Sequence, residues 1–334
     1  MECREKYTNR KLVDFLGRKI TYLRLSLTEQ CNLKCSYCYG NAICKPSADY
    51  PTNDEIIKLL RIFSSLGVEK IRFTGGEPLL RKGLSEIVRE TSRLKGIRHI
   101  GITTNGLILE PLLDKLIDSG LNKLNISLDS FDRETYKKIT GVDGLDRVLS
   151  SIEAAERSKA FPFLKINSVI MKGVNDNEIP QMVEWALKRD IDLRFIEFMP
   201  TETSGWGREH FVSEDEIRER INFELSKVPV DENSRGPAVT YRCFDYPGRI
   251  SFISAVSRSF CSTCNRLRIN SKGDLIGCLF KNNSINLREY LGKYKNLDDF
   301  ENLLTNAVNS PEFRRIPEIS SVSMFKPSML STGG

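Results

Sequence analysis

From Tyr22 to Met199 the chain alternates short β-branched, apolar runs with longer stretches whose apolar residues recur every three or four positions. The runs predict strands at Tyr22–Leu27, Ile71–Thr74, Ile100–Thr103, Lys123–Leu128, Lys165–Met171 and Leu193–Phe198. The stretches predict helices at Asn53–Leu66, Leu84–Leu94, Pro111–Ser119, Gly144–Lys159 and Asn177–Arg189. The first helix is the best punctuated: Asn53 and Asp54 are N-cap types, and Gly67 stops it. Strand–helix repetition of this kind predicts a parallel sheet with crossover helices. Six strands are too few for a complete eight-stranded barrel, and leave an open barrel or a doubly wound sheet. Either builds its site at the C-terminal ends of the strands. Polar or glycine signals recur there: Thr28-Glu29-Gln30, Gly75-Gly76-Glu77, Thr104-Asn105-Gly106, Asp129-Ser130 and Pro200.

After about Trp206 the rhythm breaks. A helix at Glu214–Leu225 precedes a Pro- and Gly-punctuated region, Val228 to Gly248. Short β-like runs follow at Ile250–Ala255, Leu267–Asn270 and Leu275–Leu279, then polar helical segments around Leu287–Leu291 and Asp298–Val308. Residues 225–334 therefore read as a smaller α+β unit behind a core of residues 1–224, with an irregular tail from Ser320. The length of 334 residues agrees with two domains. Hydrophobic residues at 40% and charged ones at 28% exclude collagen, coiled coil and bulk disorder. Lys plus Arg exceed Asp plus Glu by 50 − 44 = 6, which suits a polyanionic small molecule as well as nucleic acid. No stretch approaches 18 apolar residues, so no membrane span is expected, and Met1 to Arg10 is too polar for a signal peptide. The expected compartment is the cytoplasm.

The candidate chemistry lies in the cysteines. With only two histidines, His99 and His210, far apart, a histidine-based metal site or a Ser-His-Asp triad has almost no candidates. Nine cysteines are many, and without secretion metal ligands are favoured over disulfides. Cys31, Cys35 and Cys38 form C-x3-C-x2-C after the first strand; Cys261, Cys264 and Cys278 form C-x2-C-x13-C in the second unit. Cys3, Cys44 and Cys243 stand alone and read as small buried hydrophobes or inert thiols. Thiolate-only sets favour iron–sulfur clusters or zinc. A structural zinc site wants four ligands, and each set supplies three. Three thiolates around a four-iron cube leave one iron open, which suggests chemistry. A zinc site completed by Cys44 or Cys243 is the bland alternative.

The cysteine loop with Tyr37 before its last cysteine, together with Gly75-Gly76-Glu77-Pro78, resembles the radical S-adenosylmethionine (SAM) superfamily. Leu23-Arg24-Leu25-Ser26, Lys70-Ile71-Arg72, Thr103-Thr104-Asn105-Gly106 and Asn125-Ile126-Ser127-Leu128-Asp129 extend the match. So do Arg194 to Met199, Cys261 to Arg268 and the terminal Gly333-Gly334. Across nearly the whole chain they resemble the GTP 3′,8-cyclase family of molybdenum-cofactor biosynthesis. Where that family often has Met-Pro after the third cysteine, this chain has Tyr39-Gly40, and the segment to Asn53 is short. The resemblance implies an α/β fold, an open TIM-type (β/α)6 barrel with a C-terminal α+β unit carrying a second cluster. It implies two 4Fe–4S clusters, one on Cys31, Cys35 and Cys38, the other on Cys261, Cys264 and Cys278. It implies that Tyr37, Gly76, Ser127 and Met199 contact SAM. Arg24, Arg72, Thr103, Lys165, Arg194, Arg266, Leu267 and Arg268 would surround GTP. Gly333 and Gly334 would reach the active site, where they and the Arg266–Arg268 pair would act in catalysis. The 5′-deoxyadenosyl radical from SAM would take the ribose 3′ hydrogen, and the carbon radical would attack guanine C8. Implied partners are an electron-donor protein, the next enzyme of the molybdopterin pathway and a second copy of the chain; neither membrane nor nucleic acid is among them.

Physical reasons accompany several of these residues. Guanidinium forks grip phosphate bidentately, and Arg266 and Arg268, two apart in a predicted strand, share a face. Gly76 lacks a Cβ and so permits close backbone approach to a ligand, or else simply ends a strand. One rival is a different radical SAM enzyme with an auxiliary cluster, such as a peptide maturase. A second is a zinc-stabilised nucleic-acid-binding protein, which leaves Gly-Gly-Glu-Pro unexplained and whose basic residues are not gathered in one run.

Overall fold

The computed structural model describes residues 11–39, 49–200, 206–229, 236–258, 260–279, 283–293 and 297–313. Cys3, Cys44, Gly333, Gly334 and most of the segment from Tyr39 to Asn53 lie outside the described residues. The strands are β1 (Tyr22–Ser26), β2 (Lys70–Thr74), β3 (His99–Thr104), β4 (Lys123–Ser127), β5 (Leu164–Ile170) and β6 (Ile191–Glu197). Then come β7 (Ser226–Lys227), β8 (Val239–Arg242), β9 (Arg249–Ile253), β10 (Arg266–Ile269), β11 (Asp274–Ile276) and β12 (Ser284–Asn286). They join in one open sheet, ordered β12-β11-β10-β1-β2-β3-β4-β5-β6-β9-β8-β7.

The six predicted core strands are present, with ends shifted by a residue or two. The edges hold what the sequence did not show. β9 pairs parallel to β6, and β10 pairs parallel to β1, so chain from beyond residue 225 extends the first unit's sheet on both sides. Eight parallel strands thus stand side by side, from β10 to β9. A short apolar run carries its own period but not the identity of its neighbour.

The helices are α1 (Ser36–Tyr39), α2 (Asn53–Ser65), α3 (Leu84–Ser92), α4 (Leu113–Asp118), α5 (Arg133–Thr140), α6 (Leu145–Ser158), α7 (Ile179–Leu187), α8 (Glu214–Glu219), α9 (Leu287–Lys293) and α10 (Leu297–Asn309). Thr52, not Asn53, caps α2: its Oγ1 accepts from Glu55 N at 3.2 Å while Glu55 Oε2 accepts from Thr52 N at 2.7 Å. The predicted helix to Leu225 ends at Glu219. α5 was not foreseen, because its few apolar residues give a faint period; Asp132 caps it and Gly141, at φ 71°, closes it.

Alternation along each strand divides the sheet into two faces. Toward the helices, Leu23, Ile71, Ile102, Ile166, Leu193 and Leu267 are all buried in one core. The opposite face is polar and charged. Register aligns Tyr22 with Lys70 and Arg266, and Arg24 with Arg72 and Arg268. It then carries Arg72 to Gly101, Thr103 to Asn125, Asn125 to Lys165, and Ser127 through Asn167 to Arg194. Lys70 on β2 feels the charge of Arg194 on β6. On a flat sheet four strand spacings would separate them by about 19 Å. The sheet is therefore curled around its polar face.

Candidate active site

The loop after β1 carries the first cysteine set. Cys31, Cys35 and Cys38 are free thiols, each half-buried. Cys38 N donates to Cys35 O at 3.0 Å, and Lys34 N to Thr140 O at 2.8 Å, which ties the loop to the end of α5. Burial, then the negative charges of Asp129, Cys38 and Cys31, push the Cys35 thiol well above its usual range. Burial likewise raises Cys31, against donors from Leu33 N and Asn105 Nδ2. Three thiols that crowd one another in this way call for a cationic partner, and an iron–sulfur cluster fits. Among the described residues no three His, Cys, Asp or Glu side chains gather round one point as a single ion requires. Thiolates serving three separate irons need no such common point.

Gly75-Gly76-Glu77 is the clamp that shapes this loop. Gly76 N donates to Thr28 O and Glu77 N to Gln30 O, each at 2.7 Å. A Cβ at Gly76 would stand 2.3 Å from Gln30 O and 2.7 Å from Glu29 O. The close approach that Gly76 permits is therefore to the cysteine loop's own backbone, a correction to the expected reason. Glu77 is completely buried. Its carboxylate accepts from Leu79 N at 3.0 Å, Thr104 Oγ1 at 2.8 Å and Asn105 N at 2.8 Å. Burial raises its pKa to about 7 despite those donors. Asn105 in turn donates to Asn32 Oδ1 at 2.7 Å, beside Cys31.

Tyr37 points its hydroxyl to Asp129 Oδ2 at 2.7 Å, and Val169 N donates to Asp129 Oδ1 at 2.8 Å. Burial lifts Asp129 to about 6. Tyr37 packs on a small cluster of Ile139, Met171 and Phe198, one residue before Met199 at the end of β6. Ser127 ends β4 on the polar face. The four residues expected around SAM thus all sit at or just beyond the C-terminal ends of parallel strands.

The polar face collects the cations. Arg72 is 5% exposed. Its Nε donates to Tyr22 Oη at 3.0 Å, and its Nη1 to Ile102 O and Asn125 Oδ1 at 3.1 and 2.9 Å. Gly101 leaves room for that guanidinium, since a Cβ there would stand 3.0 Å from it. Arg194 pairs with Asp192 at 2.5 Å. Burial, with Arg194 next, presses Lys165 down to about 7 against the pull of Asp192. Burial presses Lys70 to about 8, Arg24 to about 10 and Arg268 well below its usual range. Cations crowded out of water in this way are set for an anion. Thr103 Oγ1, Asn167 Oδ1 and Ser26 Oγ, on the same face, are buried with no hydrogen-bond partner among the described residues. Orphaned polar atoms beside crowded, buried cations mark a ligand's place.

The second set lies along one edge of that face. Cys261 opens a short turn ending at Thr263, and Cys264 N donates to Cys261 O at 3.2 Å. β10 then runs antiparallel to β11, with Arg268 opposite Ile276. Cys278 follows two residues after β11 ends at Ile276. Leu267 departs from expectation: it pairs with Leu23 on the helix side and is 0% exposed, so its side chain belongs to the core and not to the polar face. Sequence reasoning also passed over Lys70, Tyr22 and Asn125; strand alternation around Arg72 and Thr103 was the signal. A cavity of about 220 Å³ lined by Phe163, Arg242 and Arg249 lies at the opposite strand ends and touches neither cysteine set.

Residues 25–186 match the radical SAM superfamily, and residues 191–314 match the family described as Molybdenum Cofactor Synthesis C. The GTP 3′,8-cyclase of Thermodesulfovibrio yellowstonii is 40% identical over 282 residues, which covers 83% of this chain and 87% of that one. The Molybdenum cofactor biosynthesis protein 1 of Dictyostelium discoideum is 43% identical over 284 residues; they span 83% of this chain but 45% of that longer protein. Streptococcus suis SuiB bound to S-adenosylmethionine is a structural neighbour with a TM-score of 0.60 at 19% identity. That match covers 85% of this chain and 66% of SuiB, and it is a likeness of fold alone. Identity of this extent over most of both sequences shows that the chain belongs to the GTP 3′,8-cyclase family of radical SAM enzymes.

Proposed function

We infer that this protein converts GTP to (8S)-3′,8-cyclo-7,8-dihydroguanosine 5′-triphosphate, the first step of molybdenum-cofactor biosynthesis. The observation that carries the reading is the curled polar face, rich in buried cations and orphaned polar atoms, with a three-cysteine set at each margin. Residues 1–224 serve SAM and residues 225–334 the auxiliary cluster and tail. Cys31, Cys35 and Cys38 would hold a 4Fe–4S cluster, which with SAM and one electron would supply a 5′-deoxyadenosyl radical for the ribose 3′ hydrogen. Cys261, Cys264 and Cys278 would hold a second cluster, which would supply a binding site for the guanine.

The chain's own residues do the positioning. Tyr37, Gly76, Ser127 and Met199 line the SAM side, where Gly76 acts by fixing the cysteine loop and Asp129 by orienting Tyr37. Arg24, Arg72, Lys165 and Arg194 receive the triphosphate, and the orphaned Thr103 hydroxyl meets the nucleotide. Arg266 and Arg268 hold the substrate beside the second cysteine set, where the Leu267 backbone closes the wall. Gly333 and Gly334 are assigned a role in catalysis. Fixed geometry and exclusion of water direct the ribose carbon radical to C8 rather than to solvent. No helix among the described residues is long and apolar enough to cross a membrane. The cytoplasm, an electron-donor protein, a consuming enzyme that takes the cyclised nucleotide, and a second copy of the chain complete the proposal.

The experiment is anaerobic incubation with SAM, GTP and a reductant, with products read by mass spectrometry. Cyclised nucleotide and 5′-deoxyadenosine should appear together. Cleaved SAM with GTP untouched would refute the assignment of GTP to this face.

A further inference from the structure

One side chain on the polar face has no task in the scheme above. Tyr22, in β1, is 5% exposed and pairs with Lys70 of β2 and Arg266 of β10. Lys70 Nζ stands 4.6 Å from its ring centre, and Arg266 Cζ 6.0 Å. Its hydroxyl oxygen accepts from Arg72 Nε at 3.0 Å. The charged groups that act on it are all cations: Arg24 from its own strand, Lys70 and Arg72 from β2, Arg266 and Arg268 from β10.

Arg72 is held on two sides, through Nε by Tyr22 and through Nη1 by Ile102 O and Asn125 Oδ1. Its Nη2 makes no hydrogen bond among the described residues. A hydroxyl that accepts from Nε turns its own proton elsewhere. An anion oxygen received by Nη2 comes within reach of that proton, because Nε and Nη2 form one edge of the guanidinium fork. We propose that Tyr22 is a further binding residue for the substrate's polyphosphate: its oxygen fixes Arg72, and its O–H donates to the phosphate oxygen that Arg72 Nη2 holds. The proposal rests on the reading that this face binds GTP.

Without a bound polyphosphate the same phenol acts differently. Burial favours its neutral form, yet Arg72, Arg24, Lys70 and Arg266 outweigh burial and bring its pKa from the usual 10.0 to about 7. Above that pH it serves as a counterion to the cations. A polyphosphate neutralises those cations, so the phenol regains its proton and donates it. Binding then takes up a proton at Tyr22, and affinity declines as pH rises through the phenol's pKa in the empty site.

Tyr22→Phe keeps the ring and removes the hydroxyl. GTP turnover at about pH 6 and about pH 8.5, one on each side of the phenol's titration, gives KM and kcat. Inorganic tripolyphosphate as a competitor reads the phosphate site without the base. At the lower pH, KM and the tripolyphosphate inhibition constant should both rise about tenfold in the variant, the cost of one charged hydrogen bond. kcat should change far less, and the gap should narrow at the higher pH. Equal KM values at both pH values overturn the proposal, as does a fall in kcat alone. Lys165→Ala, run alongside, separates the two levels. If it leaves KM unmoved, the reading of the face has failed; if it alone raises KM, only the role of Tyr22 has. Should Tyr22→Phe not fold, 3-fluorotyrosine at position 22 lowers the phenol's pKa and should move the KM inflection to lower pH. An inflection that stays put overturns the proposal.

Discussion

Gly76→Ala tests whether the glycine-rich motif acts through the cysteine loop. Gly76 is not in the left-handed region, so its backbone tolerates alanine, and any penalty is steric. The new Cβ would stand 2.3 Å from Gln30 O, 2.7 Å from Gln30 C and 2.7 Å from Glu29 O. An ordinary carbon–oxygen contact is about 3.3–3.6 Å, so the overlap is near 1 Å. All three atoms are backbone and cannot rotate away. Overpacking of this kind costs about 1–3 kcal/mol. Relief by separation would stretch the bonds from Gly76 N to Thr28 O and from Glu77 N to Gln30 O, at about 1 kcal/mol each. The total, about 3–5 kcal/mol, is a large share of a typical stability of about 5–15 kcal/mol. Gly173→Ala is the control: at φ 72° with nothing within 4 Å, it should cost only the left-handed penalty of about 1–2 kcal/mol. Iron per chain after anaerobic purification, denaturant midpoint and SAM cleavage are the measurements. The Gly76 variant should lose about half its iron and its SAM cleavage, while the Gly173 variant keeps both. Full iron and a midpoint no lower than the control's would refute the clamp.

Three other outcomes follow from the same geometry. GTP affinity should fall as pH rises through about 7, because Lys165 then loses its charge in the empty site; Lys165→Arg, charged throughout, should flatten that part of the KM profile, and an unchanged slope counts against the residue. Cys35→Ala should abolish SAM cleavage, whereas Cys264→Ala should chiefly remove GTP turnover, each with about half the iron lost; zinc in anaerobically prepared protein contradicts both. Deleting Gly333 and Gly334 should nearly eliminate cyclised product while both clusters stay assembled, and a peptide ending in Met329 to Gly334 should restore part of it; full activity of the shortened chain would reduce the tail to a loose end.

How much of this was legible follows from what each signal encodes. The core strands were readable because an apolar run between helical stretches has few alternatives. The active-site end was readable too, since parallel strands leave their C-terminal ends open to loops, and Cys31, Cys35, Cys38 and Gly-Gly-Glu-Pro sit there. Lys70 was not, because a lysine at a strand's first position looks like any solvated charge until register sets it beside Tyr22. Leu267 was carried along between two arginines, although alternation alone turns it to the other face. Gly76 was assigned a ligand because a missing Cβ says that something is close without saying what. Its neighbour proved to be the backbone of Glu29 and Gln30.

The least legible feature is how the two cysteine sets are held relative to each other. Buried carboxylates far apart in sequence make those ties. Glu197, at the end of β6, accepts from Val256 N and Ser257 N at 2.8 Å each, and from Glu214 N at 3.0 Å. Glu214 accepts from the Ser254 hydroxyl and, at 3.1 Å, from Arg258 Nη1. These bonds fix the segment that leads into Cys261 to the strand end that leads into Met199. On the other flank, the Ser271 hydroxyl donates to Glu29 Oε1 at 2.9 Å, Asn265 Nδ2 to Thr21 Oγ1 at 2.9 Å, and Arg18 to the Cys261 carbonyl. The chain carrying the second cysteine set is therefore fastened at both edges of the six-strand core, at Glu197 at the end of β6 on one side and along β1 on the other. Spacing between the two cysteine sets is then set by strand register, not by a hinge. A reaction that must deliver a hydrogen-abstracting radical to one ribose carbon gains most from such fixed distances, since a misplacement of about 1 Å can cost about a hundredfold in rate.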